Sequence, residues 1–222
     1  MSKAKLLLSG LPAIGKTTLL QSLEAEKSLI IARDGKQYPF PQPHVNVPDF
    51  TSAAEFTNLI VEKVEAFEKK MGVIPETLVI DSISKVLLDI EAYCLQQIKS
   101  FPYGKVNTEI KHVVDFIEQE MCIHFNVVLV SHAIYHEENS GYALVNAGGS
   151  YGKKGGMLSE VDEAIFLELK GKNRIVHFRN PRMVARTTLS ELPDSIPAEE
   201  FNLQKHIDVL TSKKTEAREW LI

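Results

Sequence analysis

Along the first two-thirds of the chain, short unbroken apolar runs alternate with longer stretches whose apolar residues recur every three or four positions. The runs are Lys5 to Ser9, Ser28 to Ala32, Thr77 to Asp81 and Asn126 to Ser131. Their length suits strands buried on both faces, as in a parallel sheet. Between them, helices are predicted over Lys16 to Glu26, Ser52 to Met71, Ser82 to Ile98 and Thr108 to His124. In the second of these, Phe56, Leu59, Ile60, Val64 and Phe67 form one apolar stripe against a charged opposite face. Four prolines between Lys36 and Phe50 predict irregular structure there, as does Phe101-Pro102-Tyr103-Gly104. Strand and helix patterns in alternation imply a mostly parallel central sheet covered by helices on both faces.

The pattern changes after His132. Residues 136–156 are rich in glycine and poor in large apolar side chains, which predicts a long loop. Val161 to Leu169 and Asn173 to Asn180 then read as a hairpin around Lys170-Gly171-Lys172. Pro193 and Pro197 are expected to end the compact region. This divides the chain into a main domain over 1–192 and a C-terminal helix and tail over 193–222, the helix predicted at Glu199 to Leu210 and the end being apolar, Trp220-Leu221-Ile222. No internal repeat is visible.

Composition narrows the class. With 222 residues, 44% of them hydrophobic and 24% charged, the chain suits one ordinary soluble α/β domain. No apolar run approaches the ~20 residues that span a bilayer. The lysines before Leu6-Leu7-Leu8 only faintly imitate a leader, since Pro12 and Lys16 interrupt the apolar stretch. Cys94 and Cys122 lack metal-type spacing and suit a reducing cytoplasm as free thiols. A net charge of −4 argues against nonspecific coating of nucleic acid, though not against a local basic surface.

The sharpest chemical signal is Gly10-Leu11-Pro12-Ala13-Ile14-Gly15-Lys16-Thr17, a G-x-x-x-x-G-K-T loop placed between a strand and a helix. Glycines let backbone N–H groups close around phosphate oxygens where a side chain would clash. Lys16 is then expected to reach the β- and γ-phosphates and Thr17 to offer its hydroxyl to Mg²⁺, with Thr18 completing the cradle. ATP and Mg²⁺ are therefore the expected ligands. Thr77-Leu78-Val79-Ile80-Asp81 has the form of the strand whose terminal carboxylate shares that metal. Asp34, closing the second strand, is the first candidate for orienting an attacking water; a turn aspartate before Gly35 is the plain alternative. His132, just beyond the fourth strand, is placed to touch the γ-phosphate and pass its loss to the following loop.

Two segments are candidates for contacting single strands. Lys99, Phe101, Tyr103 and Lys105 interleave rings with cations, and the glycine-rich loop carries Tyr142 and Tyr151. Lys153 and Lys154 in that loop could also reach a neighbouring subunit's γ-phosphate. Lys170, Lys172, Arg174, Arg179, Arg182 and Arg186 form a late basic cluster of secondary interest.

In this order the parts resemble the RecA-type core ATPases, specifically the compact phage-encoded members that act in single-strand annealing and recombination. The likeness spans roughly residues 3–210 and rests on Gly10 to Thr17, Asp34, Asp81-Ser82, Leu129 to His132, the glycine loop with its lysines and the terminal hairpin. It implies that Asp34 stands where those relatives carry a water-activating glutamate and His132 where they carry a glutamine or asparagine sensor. Residues 99–107 and 136–156 match their two DNA-binding loops, and Lys153 or Lys154 the cations acting across a subunit boundary. It further implies DNA-stimulated ATP hydrolysis, single-stranded DNA as partner, a ring or filament of copies, contact with a single-strand-binding or recombination protein, and a place in the host cytoplasm if phage-encoded. Aspartate is shorter than glutamate and follows Arg33, a departure that bears on the rate of hydrolysis. Two other readings stand beside this one: a P-loop kinase of small molecules, and a nucleotide-gated loader or adaptor with little turnover.

Overall fold

The computed structural model describes residues 3–35, 37–97, 100–138, 140–153 and 156–218. The elements, in chain order, are β1 (Lys5–Gly10), α1 (Lys16–Leu19), β2 (Ser28–Ala32), β3 (His44–Asn46), α2 (Ala53–Met71), β4 (Thr77–Asp81), α3 (Ile83–Gln97), α4 (Pro102–Phe116), α5 (Cys122–His124), β5 (Asn126–His136), β6 (Gly141–Leu144), α6 (Ser150–Lys153), β7 (Glu163–Lys170), β8 (Asn173–His177), β9 (Ser195–Pro197) and α7 (Leu203–Arg218). Strands run in the order β3-β2-β4-β5-β1-β7-β8-β9, and β6 pairs with β5 off this path. From β3 to β7 every neighbouring pair is parallel; β7–β8, β8–β9 and β5–β6 are antiparallel.

The unbroken apolar runs are explained by a core on each face of the sheet. Leu7, Leu29, Ile31, Leu78, Ile80, Val127 and Leu129 point into one cluster, shared with α2, α3 and α4. Their alternates Leu6, Leu8, Ile30, Val79, Val128 and Val130 point into the other, shared with α1 and α7. Period-two alternation thus becomes continuous hydrophobicity because neither face meets water. Helix α2 is the best-signalled helix: the Ser52 hydroxyl accepts from the Glu55 amide at 3.1 Å, and Gly72, at φ 74°, closes the other end.

Several boundaries differ from those expected. The helix predicted over 16–26 ends early, continuing as one tight turn through Ser22. There the Ser22 hydroxyl donates to the Leu19 carbonyl and accepts the amide of Leu203 from α7, diverting the chain toward β2. The proline-rich connection holds a short edge strand, β3, because none of its prolines falls on His44 to Asn46. Helix α4 starts at Pro102 rather than Thr108, as proline suits a first helical position, where no amide is needed. It then runs through a wider turn at Ile117–Met121 into α5. The predicted loop after His132 is largely structured: β5 continues to His136 and turns back through β6. The chain does not leave the compact body at Pro193 and Pro197 either. Strand β9 joins the sheet beside β8, and Leu203, Ile207 and Leu210 of α7 are buried.

Both cysteines are free thiols, in α3 and α5. Burial pushes the Cys122 thiol up to about 12, which leaves it unreactive at neutral pH. No helix among the described residues is long and apolar enough to cross a membrane.

A buried carboxylate ties the far end of the sheet together. Glu163 opens β7 opposite Leu6, with no exposed surface. One of its oxygens accepts from the Thr187 hydroxyl at 2.8 Å, the Thr188 amide at 2.7 Å and the Thr188 hydroxyl at 2.9 Å. Replacing it leaves those donors buried without an acceptor. Glu163→Ala is expected to lower the stability measured by urea unfolding by about 2–4 kcal/mol, leaving ligand binding at the opposite sheet edge intact below the transition.

Candidate nucleotide-binding site

The carboxyl ends of β1, β5, β4 and β2 lie side by side. Gly10 is in register with His132, and Ala32 with Asp81, whose other neighbour is Val130. Strand β5 therefore stands between the glycine loop and the strand ending in Asp81. Such an edge is where open α/β sheets bind ligands.

The loop is closed by backbone conformations that side chains resist. Gly10 has φ 152° and Gly15 φ 102°, and Ala13 also sits at positive φ. A Cβ on Gly10 would lie 2.5 Å from the Leu167 carbonyl oxygen and 2.6 Å from the Ile14 side chain. Close packing against β7, as well as freedom to turn, requires glycine there. Pro12 and Ala13 form the exposed rim, Leu11 is half-buried against the core, and Ile14 is buried beneath.

Lys16 is buried, only 5% exposed, and folded back into this loop. Its ammonium donates to the carbonyls of Gly10 at 2.9 Å and Leu11 at 2.7 Å, and lies 3.3 Å from His132 Nδ1. An ammonium has only donors, so His132 Nδ1 must be the unprotonated ring nitrogen in this contact. The His132 amide in turn donates to the Ser84 hydroxyl at 3.2 Å, and its carbonyl accepts the amide of Val145 at 2.8 Å.

Beside the lysine, the Thr17 hydroxyl donates to Asp81 Oδ2 at 3.2 Å. The same oxygen accepts the phenol of Tyr38 at 2.9 Å. Burial, and then the charge of Asp81, push the Tyr38 phenol well above its ordinary range, so it remains a donor. Asp34 is half-buried just beyond β2, close enough for its charge to act on Tyr38 as well. Arg33 is turned away, pairing with Asp49 and Asp89, each at 2.8 Å.

The donor set fits Mg²⁺. Thr17 and Asp81 present hard oxygens side by side at the mouth of the loop. No cluster of three or more His, Cys, Asp or Glu suited to a metal occurs among the described residues. A cation here would take its other ligands from phosphate and water, as Mg²⁺ does.

Lys16, Thr17, Asp81 and His132 are thus brought together, with Asp34 linked to them through Tyr38. Sequence reasoning missed Tyr38, which sits unremarked among the prolines of the β2–β3 connection. It missed Ser84 too, which lies three residues beyond the strand end in the first turn of α3.

The segments expected to meet nucleic acid divide. Phe101 is 92% exposed and Tyr103 46%. Lys105 is paired with Glu109. Tyr142 and Tyr151 are half-buried, with their rings packed against the core. Tyr142 packs 4.7 Å from the Phe166 ring, and Tyr151 lies against the core with its phenol raised by burial. The large apolar side chains exposed on the β5–β6 hairpin are Ile134 and Tyr135. Lys99 and Lys154 lie outside the described residues, as does the side chain of Lys153. Of the late basic cluster, Arg179 and Arg186 hold backbone carbonyls of Leu192, Leu189 and Val161, a structural use.

A G-x-x-x-x-G-K-T loop whose threonine meets a strand-end aspartate across an inserted strand defines a P-loop NTPase with a RecA-like sheet. The chain belongs to the AAA_24 family of AAA domains, which matches residues 2–189. It is similar in fold to the crystal structure of the KaiC-like protein PH0186 from the hyperthermophilic archaeon Pyrococcus horikoshii OT3. That likeness has a TM-score of 0.53 and 15% identity, over 88% of this chain and 85% of that one. No curated protein matches the sequence at a significant level. Family membership implies nucleotide binding with Mg²⁺ and points to ATPase activity.

Gly10→Ala is expected to destabilise the protein by roughly 2–4 kcal/mol in urea unfolding, through the clash with Leu167 and the strained φ, and to weaken ATP binding in a titration.

Proposed function

We propose that this protein is an ATPase of DNA recombination in which the bound nucleotide controls the grip on single-stranded DNA. The observation that carries this reading is the position of His132. Its ring meets Lys16 inside the phosphate loop, while its carbonyl is bonded to Val145, the residue following β6. A phosphate drawing Lys16 out of its carbonyl contacts would alter the His132 contact and bear directly on the hairpin.

A second contact supports the same reading. Tyr103 packs against Gly148, where an added Cβ would come within 2.8 Å of its ring, and Asn107 lies against Gly149 in the same way. The two segments expected to touch DNA therefore meet, with Phe101 exposed beside them. Rings on such a surface give stacking platforms for unpaired bases.

In the proposed cycle Lys16 binds the β- and γ-phosphates, and Thr17 and Asp81 hold Mg²⁺, which would neutralise phosphate charge. Asp34 orients the attacking water, with Tyr38 between it and Asp81. Lys153 and Lys154 act across a subunit boundary in a ring or filament. A single-strand-binding or recombination protein is the further partner, and the cytoplasm of the host the expected setting.

The kinase reading gains less support. Its lid would draw on the late arginines, and Arg179 and Arg186 are engaged with loop carbonyls. The adaptor reading differs in turnover rather than in binding.

ATP hydrolysis is expected to rise when single-stranded DNA is added, and the rise to shrink with salt, since phosphate contacts release counterions. Lys16→Ala is expected to lower turnover roughly 100-fold or more. Asp34→Asn is expected to cost about 100-fold in turnover while ATP affinity stays near wild type. Hydrolysis indifferent to any nucleic acid, with phosphate transferred to a metabolite, would favour the kinase. ATP binding without turnover, unmoved by Asp34→Asn, would favour the adaptor.

A further inference from the structure

Between α2 and the end of α4, where the chain turns into α5, the helical layer carries a groove of about 180 Å³. Phe125, in its lining, immediately precedes the first residue of β5. The groove therefore lies toward the amino-terminal edge of the sheet, whereas the glycine loop occupies the carboxyl-terminal edge. Val64, Phe116 and Phe125 are half-buried in it and Met121 is buried. Val61, on the α2 wall, lies outside the stripe that α2 packs into the core and stays 45% exposed. Ile123 of α5, next to the lining residue His124, is 62% exposed. Single exposed apolar residues are ordinary, but a contiguous set around a concave apolar floor marks an interaction surface. The wide turn at Ile117–Met121, a feature that recurs at functional sites, brings Glu120 and Met121 to this groove.

Size and charge together define what can fill it. Sites for small organic ligands run to roughly 300–1,000 Å³, so this groove holds one or two anchoring side chains rather than a cofactor. A carboxylate stands on each wall: Glu65, one turn after Val61 on α2, and Glu120 opposite, both exposed. Among the described residues, no lysine or arginine lies within 4 Å of either. Other acidic residues of the same helical layer are paired, Glu109 with Lys105, Asp115 with Lys111 and Glu118 with Lys5. Two uncompensated carboxylates repel phosphates, which excludes nucleic acid and anionic lipid as occupants. They favour an apolar side chain flanked by cations.

We propose that this groove is the docking site for a basic amphipathic helix of a partner protein. One large apolar residue of that helix seats between Val61, Val64, Phe116 and Phe125, and lysines or arginines a turn away on either side meet Glu65 and Glu120. A furrow between two helices accepts the ridge of a third, which is how an amphipathic helix lies in a groove. The apolar anchor supplies most of the affinity, and the carboxylates select the partner and speed its approach. The inference does not depend on the chemistry of the nucleotide site, which lies at the opposite edge of the sheet and stays open when the groove is filled.

The test titrates the full chain into two fluorescently labelled helical peptides and reads anisotropy. Both carry the same row of leucines at positions one turn apart; one flanks it with lysines and arginines, the other with glutamates. The basic peptide is expected to bind with a Kd of about 10 μM or tighter, and the acidic one at least about tenfold more weakly. Val61→Asp makes the surface more acidic but removes the anchor contact, and is expected to weaken the basic peptide at least about tenfold. Glu65→Lys combined with Glu120→Lys is expected to reverse the preference between the peptides. Both variants change exposed side chains, so either tests the groove if the other fails to fold. Failure of the basic peptide to bind, or equal affinity for the two peptides, overturns the proposal. So does undiminished binding of the basic peptide by Val61→Asp, which would show attraction by charge alone. Sedimentation of the chain alone supplies the last outcome: an oligomer that Val61→Asp converts to monomer would put a second copy in the groove and overturn the partner assignment.

Discussion

A lysine ammonium held inside a loop of its own making is the constraint on which the rest of this structure depends. Removing such a charge from water costs several kcal/mol unless acceptors replace the solvent. For Lys16 the replacements include two loop carbonyls and the ring of His132. The carbonyls belong to Gly10 and Leu11, so the charge holds the start of the loop in shape. Gly10 in turn lies against β7 too closely for any side chain. Phosphate oxygens would replace neutral acceptors by anionic ones, roughly doubling the strength of each contact. The same charge that shapes the loop thus draws the ligand in.

Sheet order decides which residues can feel that exchange. Placing β5 between β1 and β4 sets His132 beside the lysine and leaves Asp81 within reach of Thr17. Because β5 continues to His136 and pairs with β6, the residue touching Lys16 also begins the protruding hairpin. Backbone pairing makes that connection stiff, where the loop expected from composition would have absorbed a small movement. The Tyr38 phenol on Asp81 adds a link of the same kind to the connection after β2.

Much of this architecture is legible in the amino-acid sequence. Strands buried on both faces cannot hide there, and Leu6 to Leu8, Val79 and Val127 to Val130 announce the central sheet at once. The glycine loop and Asp81 are legible because their chemistry is local: a turn, a strand end and a spacing. What stays hidden depends on distant partners. Tyr38 looks like any tyrosine among prolines until the fold carries it to Asp81. Tyr142 and Tyr151 look available for stacking because composition does not show which way a ring turns, and Phe166 claims the first of them. The early end of α1 is set by Leu203, 181 residues after Ser22, beyond the reach of local propensity. Glycine-rich sequence conceals β6 because pairing with β5, not side-chain preference, makes it a strand.

Nucleotide occupancy of the loop, transmitted along β5 to the hairpin, is the central claim. Amide hydrogen exchange, measured with and without a non-hydrolysable ATP analogue and Mg²⁺, tests it most directly. The expected result is slowed exchange across residues 10–18 together with altered exchange across 132–149. Slowing confined to residues 10–18, with 132–149 unchanged, would contradict it.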